Sequence, residues 1–100
     1  MIISLYRWIL KPGKEEQFKK AWSYVTEQLR EKSGSLGSRL HLGDDGLRYG
    51  YAQWHSKEQR TKNRLTHAEI TEARELMKDA VQEELPDIVL EPTNDFLILA

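Results

Sequence analysis

The chain has 100 residues, a formal net charge of −1 from 15 basic and 16 acidic side chains, 39% hydrophobic residues and no cysteine. That length suits a single domain with one small core, and the composition is that of an ordinary folded globular protein. No basic stripe is interleaved with aromatics, which argues against nucleic-acid binding, and the missing cysteines exclude disulfides, thiolate metal sites and cysteine nucleophiles. Arg7 comes too early for a signal peptide, and no apolar run approaches the roughly 20 residues of a membrane span. The expectation is therefore one cytoplasmic domain over residues 1–100, with no nucleic-acid or membrane partner.

Residues 2–10 (IISLYRWIL) are β-branched, aromatic and aliphatic with one charge, and they predict a first strand. Ile3, Leu5, Arg7 and Ile9 fall on one face; Ile2, Ser4, Tyr6, Trp8 and Leu10 fall on the other. A strand apolar on both faces needs cover on both. The chain's own helices can shield one face, and a second copy of the chain is expected to shield the other.

Lys11-Pro12-Gly13 turns the chain into a helix with Glu15 and Glu16 in its first turn, where carboxylates oppose the positive end of the dipole. Phe18, Ala21, Trp22, Val25 and Leu29 repeat at helical spacing, and Gly34 can supply the stop.

Residues 35–43 and 47–55 alternate around Asp44-Asp45-Gly46, a strong hairpin signal. With Asp45-Gly46 as a two-residue turn, Leu42 faces Tyr49 and Leu40 faces Tyr51. Arg39, His41, Gly50, Ala52 and Trp54 then share the opposite face. A three-residue loop reverses the grouping and joins the leucines to Trp54. The two-residue turn is the preferred reading.

Ser56-Lys57-Glu58-Gln59 reads as a capping box that opens another helix. Lys57 to Arg64 contains no apolar residue, which implies either a solvated turn of helix or a mobile cover. Leu65, Ile70, Ala73, Met77, Ala80 and Val81 resume an apolar stripe, with a kink expected near Thr66-His67 and the helix ending at Pro86. Residues 87–99 form a last extended segment, interrupted at Pro92-Thr93-Asn94.

The order is β-α-β-β-α-β, an α+β ferredoxin-like plan: a four-stranded antiparallel sheet with both helices on one face. The open face calls for a homodimer, two sheets packed face to face.

Residues 8–18 (WILKPGKEEQF) and 34–56, with the Asp-Gly turn and Tyr51-Ala52-Gln53-Trp54-His55-Ser56, resemble the antibiotic biosynthesis monooxygenase superfamily. The resemblance implies a dimeric α+β barrel with a pocket between sheet and helices in each subunit. Some members oxidise aromatic phenols with dioxygen and no cofactor, others degrade haem, and many have no assigned reaction. The haem-degrading branch uses a strand Asn, a helix Trp and a His ligand. Those positions fall near Tyr6, Asn63 and Ala73, and none matches.

Cofactor-free oxygenation needs an apolar pocket, a proton acceptor and positive potential beside a developing oxyanion. Trp54 is the expected wall, with Gly50 and Ala52 leaving space beside it. Arg39 is the expected anion stabiliser, and His41 or His67 the proton acceptor. Tyr6, Trp8, Trp22, Tyr51 and Asn63 complete the expected substrate pocket. Each has a plainer reading as packing, interface or surface. His41, His55 and His67 lack the spacing of a shared ligand face, so neither metal nor organic cofactor is expected. The expected partners are a second copy of the chain and a small hydrophobic or aromatic molecule. The alternative function is a non-catalytic dimeric binding or structural module.

Overall fold

The computed structural model describes residues 1–62 and 68–98. Its elements are β1 (Ile2–Leu10), α1 (Glu15–Lys32), β2 (Ser38–Leu42), β3 (Arg48–Trp54), α2 (Lys57–Lys62), α3 (Ala68–Ala80) and β4 (Val81–Leu90). The strands form one four-stranded sheet in the order β2-β3-β1-β4, and every adjacent pair is antiparallel. This is the expected ferredoxin-like α+β architecture. No helix among the described residues is long and apolar enough to cross a membrane.

The two faces of β1 have different fates. Trp8 packs with Phe18 of α1 and Ala80 of α3, so the face with Tyr6, Trp8 and Leu10 lies beneath the helices. Phe18 is fully buried and meets the Trp8 ring edge-on, with ring centroids 5.0 Å apart. Farther from the sheet, Ala21 and Val25 of α1 pack on Ile70 and Ala73 of α3. These are the residues of the two helical stripes, and burying them holds both helices on one side. The other face carries Leu5, Arg7 and Ile9 of β1 beside Tyr49 and Tyr51 of β3 and Leu85 and Ile88 of β4.

Polar contacts lock the helices to each other. Lys14 Nζ and Gln17 Nε2 both donate to Asp79 Oδ2, at 3.1 and 3.0 Å. The Gln17 hydrogen bond, then that of Lys14, holds the Asp79 carboxyl below its ordinary pKa. The capping box at Ser56 forms: its Oγ accepts from the Gln59 amide at 3.1 Å, while Gln59 Oε1 accepts from the His55 amide at 2.8 Å. The segment without apolar residues is anchored through its polar groups. Gln59 Nε2 donates to the Gly34 carbonyl at 2.9 Å, and Arg60 reaches both Asp87 of β4 and the Tyr6 hydroxyl of β1. Residues 57–62 are thus a tethered helix and not a bare solvated turn. The expected kink at Thr66-His67 lies outside the described residues.

The hairpin register differs from the preferred reading. Leu40 pairs with Gly50, His41 with Tyr49 and Leu42 with Arg48. Gly43 donates to the Leu47 carbonyl at 2.8 Å, which leaves Asp44, Asp45 and Gly46 as a three-residue loop. The Gly46 amide closes the turn onto the Gly43 carbonyl at 3.0 Å, and Gly46 takes the left-handed conformation at φ 84°. That is a tight turn followed by a glycine bulge, a geometry the Asp-Asp-Gly sequence suits as well as the two-residue turn. Every side chain of β2 therefore points to the face opposite the one expected.

The end of the second helical region also differs. Helix α3 stops at Ala80, whose carbonyl accepts from the Lys11 amide at 2.8 Å, and β4 begins at once. Val81 continues the helical stripe in sequence, but it pairs with Leu10 on the otherwise bare edge of β1. Pro86 does not end a helix; it sits in a bulge of this edge strand. There Pro86 and Asp87 lie opposite Tyr6, between the pairs Leu5–Ile88 and Arg7–Leu85. The bulge presents the Pro86 carbonyl to Arg7, which donates to it at 2.8 Å.

The turn also fixes a titrating pair. Asp45 accepts from the Tyr49 hydroxyl and from the Leu47 amide, in that order of effect, and its pKa lies below 3.8. The same bond to Asp45 raises the Tyr49 phenol above 10.0. A lowered carboxylate stabilises the fold fully above pH 3.8, and that contribution disappears as the pH falls through the lower folded value. Asp45→Asn is expected to bring the Tyr49 phenol back toward 10.0, read by NMR titration of its ring protons. An unchanged Tyr49 titration would contradict the contact.

Candidate functional site

Between the covered sheet face and the helices lies a cavity of about 650 Å³, within the range that holds a drug-sized molecule. Its floor is the sheet: Tyr6 and Trp8 from β1, Ser38 from β2, and Gly50, Ala52 and Trp54 from β3. Alternation in the strands brings these residues to one face, and the register β1–β3 sets Tyr6 beside Gly50 and Ser4 beside Ala52. Its roof is helical: Trp22, Val25, Thr26 and Leu29 from α1 and Met77 from α3. All three tryptophans of the chain therefore meet around one space.

Gly50 makes room for this arrangement. A Cβ on Gly50 would lie 2.8 Å from Cη2 and 2.9 Å from Cζ3 of Trp8, so the indole lies directly over the glycine backbone. Tyr6 stacks beside Trp8 with centroids 5.9 Å apart and planes inclined by 17°. The space expected beside Gly50 is thus partly filled by Trp8.

Trp54 is only 4% exposed, yet its Nε1–H has no hydrogen-bond partner among the described residues. A buried indole N–H normally finds an acceptor, and leaving it without one costs about 1–3 kcal/mol. The fully buried Ser4 hydroxyl, two pairs along the same face, is likewise without a partner among the described residues. Trp54 thus lines the cavity with its ring, while its N–H is shut off from solvent and unpaired among the described residues. Among the described residues the charged lining groups, Arg74, Lys78, Glu83 and Glu84, are exposed and stand at the mouth.

The structure gathers Tyr6, Trp8, Trp22 and Trp54 at this cavity. It separates Arg39, His41 and Tyr51 from them. Arg39 pairs with Tyr51 and His41 with Tyr49 on the opposite face of the sheet, and both Arg39 and His41 are exposed. For Arg39 and His41 the physical reason is the three-residue turn, which moves the β2 side chains across by one position, whereas Tyr51 alternates away from Gly50, Ala52 and Trp54 within β3 itself. Asn63 and His67 lie outside the described residues.

Arg60 is a residue the sequence pattern did not single out. Burial works against its charge, but the Tyr6 hydroxyl and the Asp87 carboxylate outweigh that and hold the guanidinium pKa above its ordinary value. Arg60 thereby ties α2 to Asp87 of β4, with the hydroxyl of the cavity residue Tyr6 beside its guanidinium. Its only sequence signal was a charge in a segment without apolar residues, which reads equally as solvated surface. Among the described residues, no group of three His, Asp or Glu side chains is placed to hold a metal ion.

No family model and no curated protein matches the sequence. Solved structures do match it in fold. A protein provisionally named antibiotic biosynthesis monooxygenase from Bordetella bronchiseptica superposes with a TM-score of 0.77 at 16% identity, covering 93% of this chain and 97% of that one. A similarly named protein from Deinococcus radiodurans gives 0.74 at 14% identity with both chains fully covered. Rv0793 from Mycobacterium tuberculosis gives 0.75 at 13% identity, over 96% of this chain and 98% of that one. The resemblance read at residues 8–18 and 34–56 holds at the level of fold, since the architecture is that of structures bearing the name. Likeness at such identities carries the fold and not the reaction.

Gly50→Ala is expected to push the rigid Trp8 indole into the cavity. Overpacking of this kind costs about 1–3 kcal/mol, measurable by urea unfolding, and the variant should bind a hydroquinone probe more weakly. Unchanged stability and unchanged binding would show that the Trp8 position is not set by Gly50.

Proposed function

We propose that this chain is a member of the antibiotic biosynthesis monooxygenase superfamily and acts as a cofactor-independent monooxygenase on a small aromatic or quinol-type metabolite held in the sheet–helix cavity. The observation that carries this reading is the cavity walled by Tyr6, Trp8, Trp22 and Trp54, beside which the buried Trp54 N–H has no partner among the described residues. A flat, apolar ring system suits walls made by three indoles and a phenol, and a ring oxygen is the natural acceptor for Trp54 Nε1–H. In such a reaction the substrate loses a proton, and the resulting electron-rich anion itself reduces dioxygen. The protein's part is then to exclude water and to donate a hydrogen bond to the oxygen where negative charge develops. Trp54 fills that role. Arg39 and His41, on the other face, cannot reach a ligand in the cavity of their own subunit. The proton passes to water, one oxygen atom enters the product, and the other leaves as water with the two hydrogens that the substrate gives up.

The working unit in this proposal is a homodimer through the sheet face left open by the helices. Ile88 and Leu90 of that face are exposed, and Leu5, Ile9 and Leu85 are only half-buried. A second sheet would shield them.

One observation favours a second reading, a non-catalytic ligand-binding module. Among the described residues the charged side chains of the cavity are exposed at its mouth, and the polar groups farther in are neutral: the Tyr6 hydroxyl, Thr26 and Ser38.

Oxygen uptake with a panel of anthrones and hydroquinones separates the two. The monooxygenase reading expects uptake faster than in buffer, falling roughly a hundredfold in Trp54→Phe as the loss of one oxyanion donor would do. Quenching of tryptophan fluorescence without oxygen uptake would leave the binding module standing and overturn the enzyme.

A further inference from the structure

Tyr6 stands between two environments. Its side chain lines the cavity and stacks beside Trp8, with ring centroids 5.9 Å apart and planes inclined by 17°. Next to it in the sheet lies the β4 bulge: Leu5 pairs with Ile88 and Arg7 with Leu85, which leaves Pro86 and Asp87 opposite Tyr6. Asp87 holds Arg60 of α2 in an ion pair, and the Tyr6 hydroxyl lies beside the same guanidinium. The Arg60 side chain is 29% exposed, so water screens these contacts only in part. Its Nε is buried without a partner among the described residues, a cost that an apolar side chain there would not carry. The short helix α2 has no apolar residue, yet the Ser56–Gln59 cap and the Gln59 bond to the Gly34 carbonyl fix it in place. What that helix delivers to the sheet is a cation.

The chemistry of the two groups sets the direction of their contact. A guanidinium offers donors only, whereas a phenol offers one hydrogen and two lone pairs. Where Arg60 meets Tyr6 the hydroxyl oxygen therefore accepts, and the Tyr6 hydrogen points elsewhere. A hydroxyl that accepts a charge-assisted hydrogen bond is a stronger donor, because the two bonds polarise each other. Tyr6 is half-buried and lines the cavity, so a bound molecule can meet that hydrogen.

We infer that Tyr6 donates its hydroxyl hydrogen to the oxygen of a bound phenol or enol on which negative charge develops, and that Arg60, held by Asp87, is the positioning residue that strengthens this donor. It is a second donor beside that of Trp54. Tyr6 keeps its own proton throughout, since the proton lost by the substrate passes to water. The pair selects a planar molecule with its ring against Trp8 and its ionising oxygen at the Tyr6 end. A ring system without such an oxygen gains nothing from it. This inference rests on the cavity being the oxygenase site, and its test uses a readout that needs no oxidation.

The probe is 4-nitrophenol, whose anion absorbs visible light. Its ionisation is followed by absorbance when bound to the unmodified chain, Tyr6→Phe, Arg60→Gln and Arg60→Lys, with occupancy measured by equilibrium dialysis. The bound probe is expected to ionise about one pH unit below the free probe, the tenfold preference for the anion that one charge-assisted hydrogen bond brings. Tyr6→Phe, which keeps the stacked ring, should abolish the shift. Arg60→Gln should remove most of it, and Arg60→Lys, which keeps the charge, should retain it in part. A purely structural Arg60 would alter affinity for the neutral and ionised probe alike and leave the ionisation unmoved. If Tyr6→Phe does not fold, the Arg60→Gln titration decides. A bound probe that ionises as the free one does, or a shift that neither variant moves, would overturn the donor pair and leave the cavity as a binding site. A probe that does not bind the unmodified chain would overturn both. The full pattern of shifts without oxygen uptake from the hydroquinone panel would keep the pair and sink the enzyme.

Discussion

The position of one turn decides which chemistry can meet in this molecule. Gly46, in the left-handed conformation, closes a three-residue loop that sets β2 against β3. Side chains alternate across a sheet, so this single choice puts Leu40 under the helices and sends Arg39 and His41 to the other face. Trp54 keeps company with Trp8, Trp22 and Tyr6, and the two cationic candidates are removed from the cavity. The Asp45 bonds to Leu47 and Tyr49 reinforce that geometry from within the turn.

Two physical tensions then shape the rest. The covered face is filled with aromatic rings, of which Trp8 fits only because Gly50 lacks a side chain, and the buried Trp54 indole N–H has no acceptor among the described residues. Such a group is costly in a finished core and useful in a binding site. The uncovered face and residues 96–98 present apolar surface that the chain's own helices do not reach. In the proposed reading a ligand would answer the first feature and a second subunit the second.

Much of this was legible in the residues. The stripe Phe18, Ala21, Trp22, Val25, Leu29 defines α1 because burial at helical spacing has few alternatives, and both caps of that helix follow the dipole and glycine rules. The β-branched, aromatic and aliphatic run of residues 2–10 marked the first strand. Less legible was the hairpin, because Asp-Asp-Gly is compatible with two loop lengths and only packing of the flanking strands selects one. Pro86 was misleading for a similar reason. Residues 81–85 fit a helical stripe or an edge strand, and the free edge of β1 settled the choice, with the proline absorbed in a bulge. Arg60 was invisible as a site residue because its partners, Asp87 and Tyr6, are distant in sequence. The tryptophans, by contrast, announced the cavity directly, since large rings on one sheet face and one helix face must meet.

The central claim is that the buried Trp54 N–H is the cavity's hydrogen-bonding handle. An amide and indole ¹H–¹⁵N spectrum recorded as 1,4-naphthohydroquinone is added tests it most directly, with the Trp54 indole signal identified by its loss in Trp54→Phe. The account expects that signal to move downfield as its proton gains an acceptor, in step with changes at Trp8 and Trp22. A ligand that perturbs Trp8 and Trp22 while the Trp54 indole proton stays where it was would contradict it.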